Sequence, residues 1–374
     1  MKVVLAPDSF KESMSASEAA AAMARGVREV IPDATCIEVP MADGGEGTTE
    51  TLVDALGGKW QSVSTVDALG RPIIAQYGLA PGGLAVIEVA AAVGIGQIAP
   101  VERDVLRATS TGVADLVRDA LDAGANRLIV GLGGSATTDG GAGLLAGLGA
   151  VWLGADGAVL SPTPSALRDL DRVDLGGLDP RLGTVVIDLA CDVTNPLLGP
   201  SGAAAVFGPQ KGASPAQVKV LDGVLTRIAD SLGKAGAPDV RDVPGAGAAG
   251  GLGAAFLALG GRRRRGVMVV AEATGLAQHL AGADLVLTGE GSIDRQTLSG
   301  KTPAGVAEVA AAHGVPVIAF AGRLGDDADS LIGRGFEAVV PIAAGPSDLP
   351  TALSLGAANL QRAVATAMRI YTLR

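Results

Sequence analysis

Several stretches of this chain set acidic, hydroxyl or basic side chains on glycine-rich frames, and the densest reads G-L-G-G-S-A-T-T-D-G-G-A-G-L-L-A-G-L-G from Gly131 to Gly149. Glycines let backbone N–H groups approach an oxyanion closely, and a helix start presents donors with no partner inside the helix. Gly133 and Gly134 supply the approach here, and Ser135, Thr137 and Thr138 add hydroxyl donors. Asp139 stands among them with no lysine or arginine near in sequence. A carboxylate beside a phosphate cradle is expected to need a metal ion between the two. Tight helix–sheet packing alone would not call for three hydroxyls and an acid.

Four more loops carry similar chemistry: Asp8-Ser9-Phe10-Lys11, Asp43-Gly44-Gly45-Glu46, Asp192-Val193-Thr194-Asn195, and Glu290-Gly291-Ser292-Ile293-Asp294 followed by Lys301. Phosphoryl transfer asks a protein for metal ions on the phosphates, cations or N–H donors on the equatorial oxygens, and a carboxylate near the attacking hydroxyl. Asp43, Asp192, Glu290 and Asp294 can hold Mg²⁺ or act as base. Lys11 and Lys301 can neutralise phosphate charge, and Gly133-Gly134-Ser135 can cradle it. Ser299-Gly300-Lys301-Thr302 has the form of a P-loop tail, but Arg295 stands where the motif needs glycine. Gly131 to Ala136 fits the dinucleotide pattern G-x-G-x-x-A, a weak match in a chain with 55 glycines. A nucleophile elbow fails because Thr137 replaces the required glycine. Cys191 has no histidine near in sequence to activate it, and the only histidines, His279 and His313, lie in no zinc-ligand spacing.

These loops must be held by elements, and the hydrophobic pattern supplies them. Strands are expected at 2–6, 36–40, 284–288, 316–320 and 338–342, alternating with helices. One helix opens with the capping box Ser15-Ala16-Ser17-Glu18, and a long one runs from about Leu349 to Tyr371. Ile73 to Leu79 and Ala85 to Ala90 read as an antiparallel hairpin through Pro81-Gly82-Gly83. Arg127 to Val130 and Thr184 to Ala190 read as further strands, and Gly112 to Ala123 and Pro215 to Leu232 as helices. The fold expected is α/β: a flavodoxin-like, doubly wound parallel sheet of order 2-1-3-4-5 built from 1–72 and 284–374. A large α/β domain with a mixed sheet is inserted at 73–283. In that order the crevice lies outside the C-terminal ends of the first and third strands, and the ligand is expected in the cleft between the domains.

Composition bounds what such a site can serve. The 374 residues carry a net charge of −10, which argues against nonspecific nucleic-acid binding. The one basic run, Arg262 to Arg265, is expected to be a solvated loop. Two cysteines far apart, Cys36 and Cys191, exclude a disulfide framework and fit a reducing, cytoplasmic setting. Met1-Lys2-Val3-Val4-Leu5 reaches Asp8 at once, a first strand and not a signal peptide. Val243 to Gly261 is uncharged over about 19 residues, but seven are glycine, so a packed soluble element is expected and not a membrane span.

Six long motifs, in order along the chain, resemble the bacterial glycerate kinase family. They are A-P-D-S-F-K from Ala6, A-D-G-G-E-G-T from Ala42, G-L-G-G-S-A-T-T-D-G-G from Gly131, C-D-V-T-N-P-L from Cys191, G-A-A-A-V-F-G-P-Q-K-G from Gly202 and L-T-G-E-G-S-I-D from Leu287. The resemblance implies ATP- and Mg²⁺-dependent phosphorylation of D-glycerate, with the 2-hydroxyl as the favoured acceptor and the 3-hydroxyl as the alternative. Glu12 departs from the pattern, standing after S-F-K where a small residue such as glycine is expected. Asp43 or Asp192 is assigned as base, with the other beside Glu290 and Asp294 around Mg²⁺. Lys11 is assigned to the transferring phosphoryl, and Asp8, Ser9 and Arg71 to glycerate. A monomer or homodimer acting on a small molecule is expected. Two other classes stay open: a nicotinamide-dependent hydroxy-acid oxidoreductase using Gly131 to Ala136, and a non-catalytic sensor of a small acid.

Overall fold

The computed structural model describes residues 1–294, 297 and 301–373. Its chain divides into two compact units: Met1–Asp43, Glu50–Gly57 and Arg265–Arg374 form the first, Gly44–Thr49 and Gly58–Arg264 the second. Among the described residues the strands are β1 (Lys2–Leu5), β2 (Thr35–Glu38), β3 (Lys59–Val66), β4 (Pro72–Ala80), β5 (Leu84–Glu88), β6 (Arg127–Gly131) and β7 (Val151–Gly154). They continue with β8 (Leu170–Asp174), β9 (Val186–Ala190), β10 (Arg262–Arg264), β11 (Leu285–Ile293), β12 (Val317–Leu324) and β13 (Ala338–Pro341).

The first unit is built on a five-stranded sheet of order β13-β12-β11-β1-β2, parallel throughout. Numbered within the unit this is 2-1-3-4-5, the order that the alternation of apolar runs implies. Val3, Val4 and Leu5 are fully buried because a parallel sheet is covered on both faces. Leu5, Met23, Leu287, Phe320 and Val364 belong to one apolar cluster, which joins the sheet to the helices Ala16–Val30 and Gly356–Tyr371. Each such side chain contributes roughly 1.5–3 kcal/mol on burial. The capping box forms as written: Ser15 Oγ accepts from the Glu18 N–H at 3.2 Å, and the Glu18 carboxylate from the Ser15 N–H at 2.9 Å.

The expected long C-terminal helix is broken. It runs as Leu349–Ser354 and Gly356–Tyr371, because the turn after β1 comes up against the junction. Ser13 Oγ donates to the Leu353 carbonyl at 2.7 Å, and a Cβ on Gly356 would lie 2.0 Å from that hydroxyl oxygen.

The second unit holds a six-stranded mixed sheet, β10-β9-β6-β5-β4-β3, and a separate hairpin, β7-β8. The expected hairpin is β4 and β5, antiparallel, while β5, β6, β9 and β10 run parallel. β3 pairs with β4 along its whole length, and this strand lies before the border expected at residue 73. It buries only Val63 and Thr65 and shows water a polar face of Ser62 and Ser64, which reads as loop in sequence. The core gathers Ile87, Leu128, Val130, Leu116, Trp152 and Phe256.

Arg262 to Arg265 is not the expected solvated loop. Arg262–Arg264 form the edge strand β10 beside β9. Arg264 pairs with Asp188 at 3.7 Å, Arg127 pairs with the same carboxylate at 2.7 Å, and Arg265 pairs with Glu308 at 2.5 Å. The glycine-rich stretch before this run includes the short helix Leu252–Ala258, and no helix among the described residues is long and apolar enough to cross a membrane.

Candidate active site

In the first unit the C-terminal ends of β1, β2 and β11 bring three carboxylates within electrostatic reach of one another. Asp8 follows β1, Asp43 follows β2 and Glu290 lies near the end of β11. The ends are pinned together: the Asp8 N–H donates to the Gly289 carbonyl at 2.8 Å, and the Thr288 hydroxyl to the Ala6 carbonyl at 2.7 Å. Burial and the nearby Asp43 charge push the Asp8 carboxyl up to about 7, with Glu290 adding to the shift. The Thr302 hydroxyl and the Ser9 N–H, both donating to Asp8, work against it. Thr302 begins the helix Thr302–Ala312, so Asp8 faces a helix start, where negative charge is favoured.

Glu290 is held from two sides. The buried Thr297 hydroxyl donates to its Oε1 at 2.9 Å, and Lys301 Nζ lies 3.4 Å from its Oε2 and donates to the Ser292 carbonyl at 3.2 Å. Burial raises the Glu290 pKa, Lys301 and Thr297 oppose that, and Asp43 reinforces it. The Asp294 N–H donates to the same Thr297 hydroxyl at 3.2 Å, so one threonine ties Glu290 and Asp294 into one loop. Lys11 is exposed in the turn after β1, and its N–H nitrogen lies 3.5 Å from where a Gly291 side chain would begin. Arg295, Ser299 and Gly300 of the P-loop comparison lie outside the described residues.

In the second unit β5, β6 and β9 run parallel and end on one edge, so Glu88, the Gly131–Gly134 turn and the Cys191-Asp192 loop are neighbours. Asp192 is exposed there and Cys191 is buried, its thiol pushed up by that burial. Gly133 and Gly134 reach the surface, and among the described residues their N–H groups donate to no protein acceptor. Ser135, Thr137 and Thr138 lie beneath them, buried, and the Thr137 and Thr138 hydroxyls lack a hydrogen-bond partner.

The start of the helix Ala142–Gly147 does not present open donors, contrary to the sequence expectation. Asp139 consumes them: its carboxylate accepts from the Gly141 and Gly143 N–H groups at 3.1 Å, while Ser110 Oγ accepts the Leu144 N–H at 3.0 Å. The Ser110 N–H and hydroxyl also donate to Asp139, at 2.7 and 2.8 Å. Asp139 is thus an internal cap in place of a phosphate.

Nor does Asp139 lack a cation. Lys211, from the segment Phe207 to Gly212, is buried in the same unit and feels its charge. Lys211 Nζ donates to Ser135 Oγ at 3.0 Å and to the Thr137 carbonyl at 2.6 Å, and burial pushes its pKa down to about 7.

Arg71 sits in the turn between β3 and β4 and is occupied. Its guanidinium meets Asp67 at 2.5 Å and Glu102 at 3.2 Å, and donates to the Gln97 carbonyl at 3.4 Å.

Two charged residues at these loops, Lys211 and Glu88, were not singled out by sequence. Lys211 lay in a motif with no assigned role. Glu88 could have been noticed as an acid closing a buried strand. It accepts the Thr49 N–H at 2.8 Å and thereby holds the loop after Asp43. Burial raises its pKa, and the N–H groups of Thr49 and Gly47 oppose that.

The acidic side chains of these loops, Asp8, Asp43, Asp192, Glu290 and Asp294, offer oxygen ligands to a cation. Among the described residues no three acidic, histidine or cysteine side chains stand where one ion could take them all. Mg²⁺ is commonly held by one or two carboxylates together with substrate phosphates and water, so the lack of a three-carboxylate cluster does not conflict with Mg²⁺.

Comparison with known proteins agrees with the topology. The sequence model of the family described as Glycerate kinase family matches residues 3–372. Glycerate 2-kinase of Escherichia coli K12 is 47% identical over 344 residues, 91% of this chain and 90% of that protein. Glycerate kinase of Bacillus subtilis 168 is 46% identical over 364 residues, 97% of this chain and 95% of that protein. The crystal structure of a glycerate kinase 2 candidate from Salmonella typhimurium LT2 superposes with a TM-score of 0.93 at 45% identity, covering 100% of this chain and 98% of that one. A match that runs the length of the sequence, joined to a parallel sheet whose switch point carries the acids, shows that the chain belongs to the glycerate kinase family.

Proposed function

We propose that this chain transfers the γ-phosphoryl group of ATP to the 2-hydroxyl of D-glycerate in a Mg²⁺-dependent reaction. The observation that carries the reading is the 47% identity, over nine-tenths of both chains, to a relative named glycerate 2-kinase. The donor chemistry of the loops supports it. In this reading Asp43 or Asp192 takes the proton of the glycerate hydroxyl, and Lys11 meets the transferring phosphoryl. Glu290 and Asp294 would hold Mg²⁺, which supplies charge neutralisation on the phosphates when bound, and whichever of Asp43 and Asp192 is not the base would stand beside that pair.

Gly133 and Gly134 offer N–H donors to a phosphate oxygen. Ser135, Thr137 and Thr138 shape that loop from below, and Lys301 adds positive charge near Glu290. Asp8 and Ser9 are assigned to glycerate. Arg71 is the weakest member of that group, because it would have to leave Asp67 and Glu102 to take a substrate carboxylate. The same reading places the enzyme in the cytoplasm, with Cys36 and Cys191 as free thiols, acting as a monomer or homodimer without nucleic acid.

Phosphorus NMR of purified protein with ATP, Mg²⁺ and D-glycerate tests the reading. The expected result is a 2-phosphoglycerate resonance that grows as ATP becomes ADP and is abolished by EDTA. A 3-phosphoglycerate resonance would reverse the acceptor, and unchanged ATP with folded protein would reject the substrate.

A further inference from the structure

Within the arginine run, the Arg263 guanidinium goes to the main chain of a candidate site loop. Its Nε donates to the Val193 carbonyl at 3.2 Å and its Nη2 to the Asp192 carbonyl at 3.3 Å. We propose that Arg263 is a positioning residue, whose fork clamps the Cys191–Leu197 loop and so fixes Asp192 for turnover. The inference rests on the kinase reading above and on a role for Asp192 in it.

The loop needs such a clamp. It leaves β9 without regular secondary structure, and Asp192, Val193 and Thr194 are exposed. Apart from Arg263, the Cys191 N–H donates to the Arg264 carbonyl at 3.1 Å and Asn195 Nδ2 to the Ser201 carbonyl at 2.8 Å at the two ends, while inside the loop the Cys191 thiol donates to the Val193 carbonyl at 3.5 Å. Between those ends stand the two carbonyls that Arg263 holds. Strand pairing delivers it there, since β10 lies parallel to β9 with Arg263 opposite Leu189, just before the loop begins.

The surroundings are shaped around this side chain. Gly245 has φ +90°, and a Cβ there would lie 2.7 Å from Arg263 Cδ and 3.4 Å from the Val193 carbonyl oxygen. Only glycine therefore leaves the arginine its path. Among the described residues no carboxylate pairs with Arg263, whereas Arg264 and Arg265 each have one. A planar guanidinium can serve two adjacent carbonyls at once, but a lysine ammonium is a single point donor on a shorter reach.

The test compares full-length wild type with Arg263→Gln, Arg263→Lys and Asp192→Asn. It uses steady-state kinetics with ATP, Mg²⁺ and D-glycerate, and hydrogen–deuterium exchange of the peptide spanning 191–197. Displacing a catalytic group by about 1 Å can cost on the order of 10²-fold. Arg263→Gln is therefore expected to lower kcat by roughly 10–100-fold, leave the KM for ATP within about twofold, and speed exchange in 191–197 but not in 131–141. Arg263→Lys is expected to recover part of the lost kcat.

Unchanged exchange in Arg263→Gln would show that no clamp exists. Faster exchange with kcat near wild type would show that turnover ignores it. Full turnover by Asp192→Asn beside a slow Arg263→Gln would remove Asp192 as the target and overturn the proposal. If wild type fails to phosphorylate D-glycerate, the kinase reading fails separately, and the exchange comparison decides the clamp.

Discussion

Glu12 holds its backbone at φ +63° in the turn that returns from Phe10 to Met14, a conformation that L side chains enter at a cost of roughly 1–2 kcal/mol. The sequence resemblance leads one to expect a small residue such as glycine here, and a positive φ is a conformation that glycine adopts without strain. Glycine would relieve that strain but add roughly 0.5–1 kcal/mol of unfolded-chain entropy, so relief wins by a small margin. Glu12→Gly is expected to stabilise the first unit by about 0.5 kcal/mol. Urea unfolding would read this directly, and a lower midpoint would show that the Glu12 side chain contributes more than its backbone costs. Asp139 makes the opposite point at the same scale. Its residue type and glycine neighbours suggest a ligand site, yet its oxygens are spent on Ser110, Gly141 and Gly143.

At the scale of elements, the second unit decides how the loop after β2 is held. Segment Gly44–Thr49 packs with the second unit although the chain on both sides of it belongs to the first. Glu88, at the end of β5, accepts the Thr49 N–H where the helix Thr48–Leu56 begins. Gly131 is glycine because a Cβ would stand 2.8 Å from the Gly44 carbonyl and 3.4 Å from Glu88 Cγ. Glu88→Ala leaves a buried N–H without its acceptor and is expected to cost about 1–3 kcal/mol of stability. Glu88→Gln, which still accepts, should cost less than half as much by denaturant titration. Equal losses in the two variants would mean that the charge, and not the cap, is what matters.

At the scale of the whole molecule, two groups, Asp8 in the first unit and Lys211 in the second, link stability to pH in opposite senses. Asp8 keeps its proton in the folded first unit up to about pH 7, whereas the unfolded chain releases it near 3.8. The folded state binds more protons in that window, so stability is full below it and falls as pH rises from about 4 through about 7. Lys211 loses its proton in the folded second unit near pH 7, against 10.5 in the unfolded chain. There the unfolded state binds more protons, and stability rises from about pH 7 toward 10.5. Each effect is on the order of a few kcal/mol. Unfolding in EDTA across pH 4–10 should show stability that falls from about pH 4 to 7 and rises from about 7 toward 10. Asp8→Asn should flatten the fall and Lys211→Met the rise. A variant that leaves its slope intact would remove that residue as the cause.

Much of this architecture is legible in one dimension because it depends on short-range pattern. Apolar runs of strand length alternating with helical spacing specify the parallel sheet and its order, since a buried parallel strand has to be apolar on both faces. Ser15 and Glu18 specify a cap because capping is local. The acids at strand ends could be picked out for the same reason. β3 and β10 escaped because one shows a polar face and the other is made of arginines, and only a neighbouring strand makes such sequences extended. The cation that answers Asp139 lies 72 positions away at Lys211, and the acceptor that caps Thr49 lies 39 positions away at Glu88. Charge compensation and backbone satisfaction act through space, and local pattern carries no information on which distant residue will supply them.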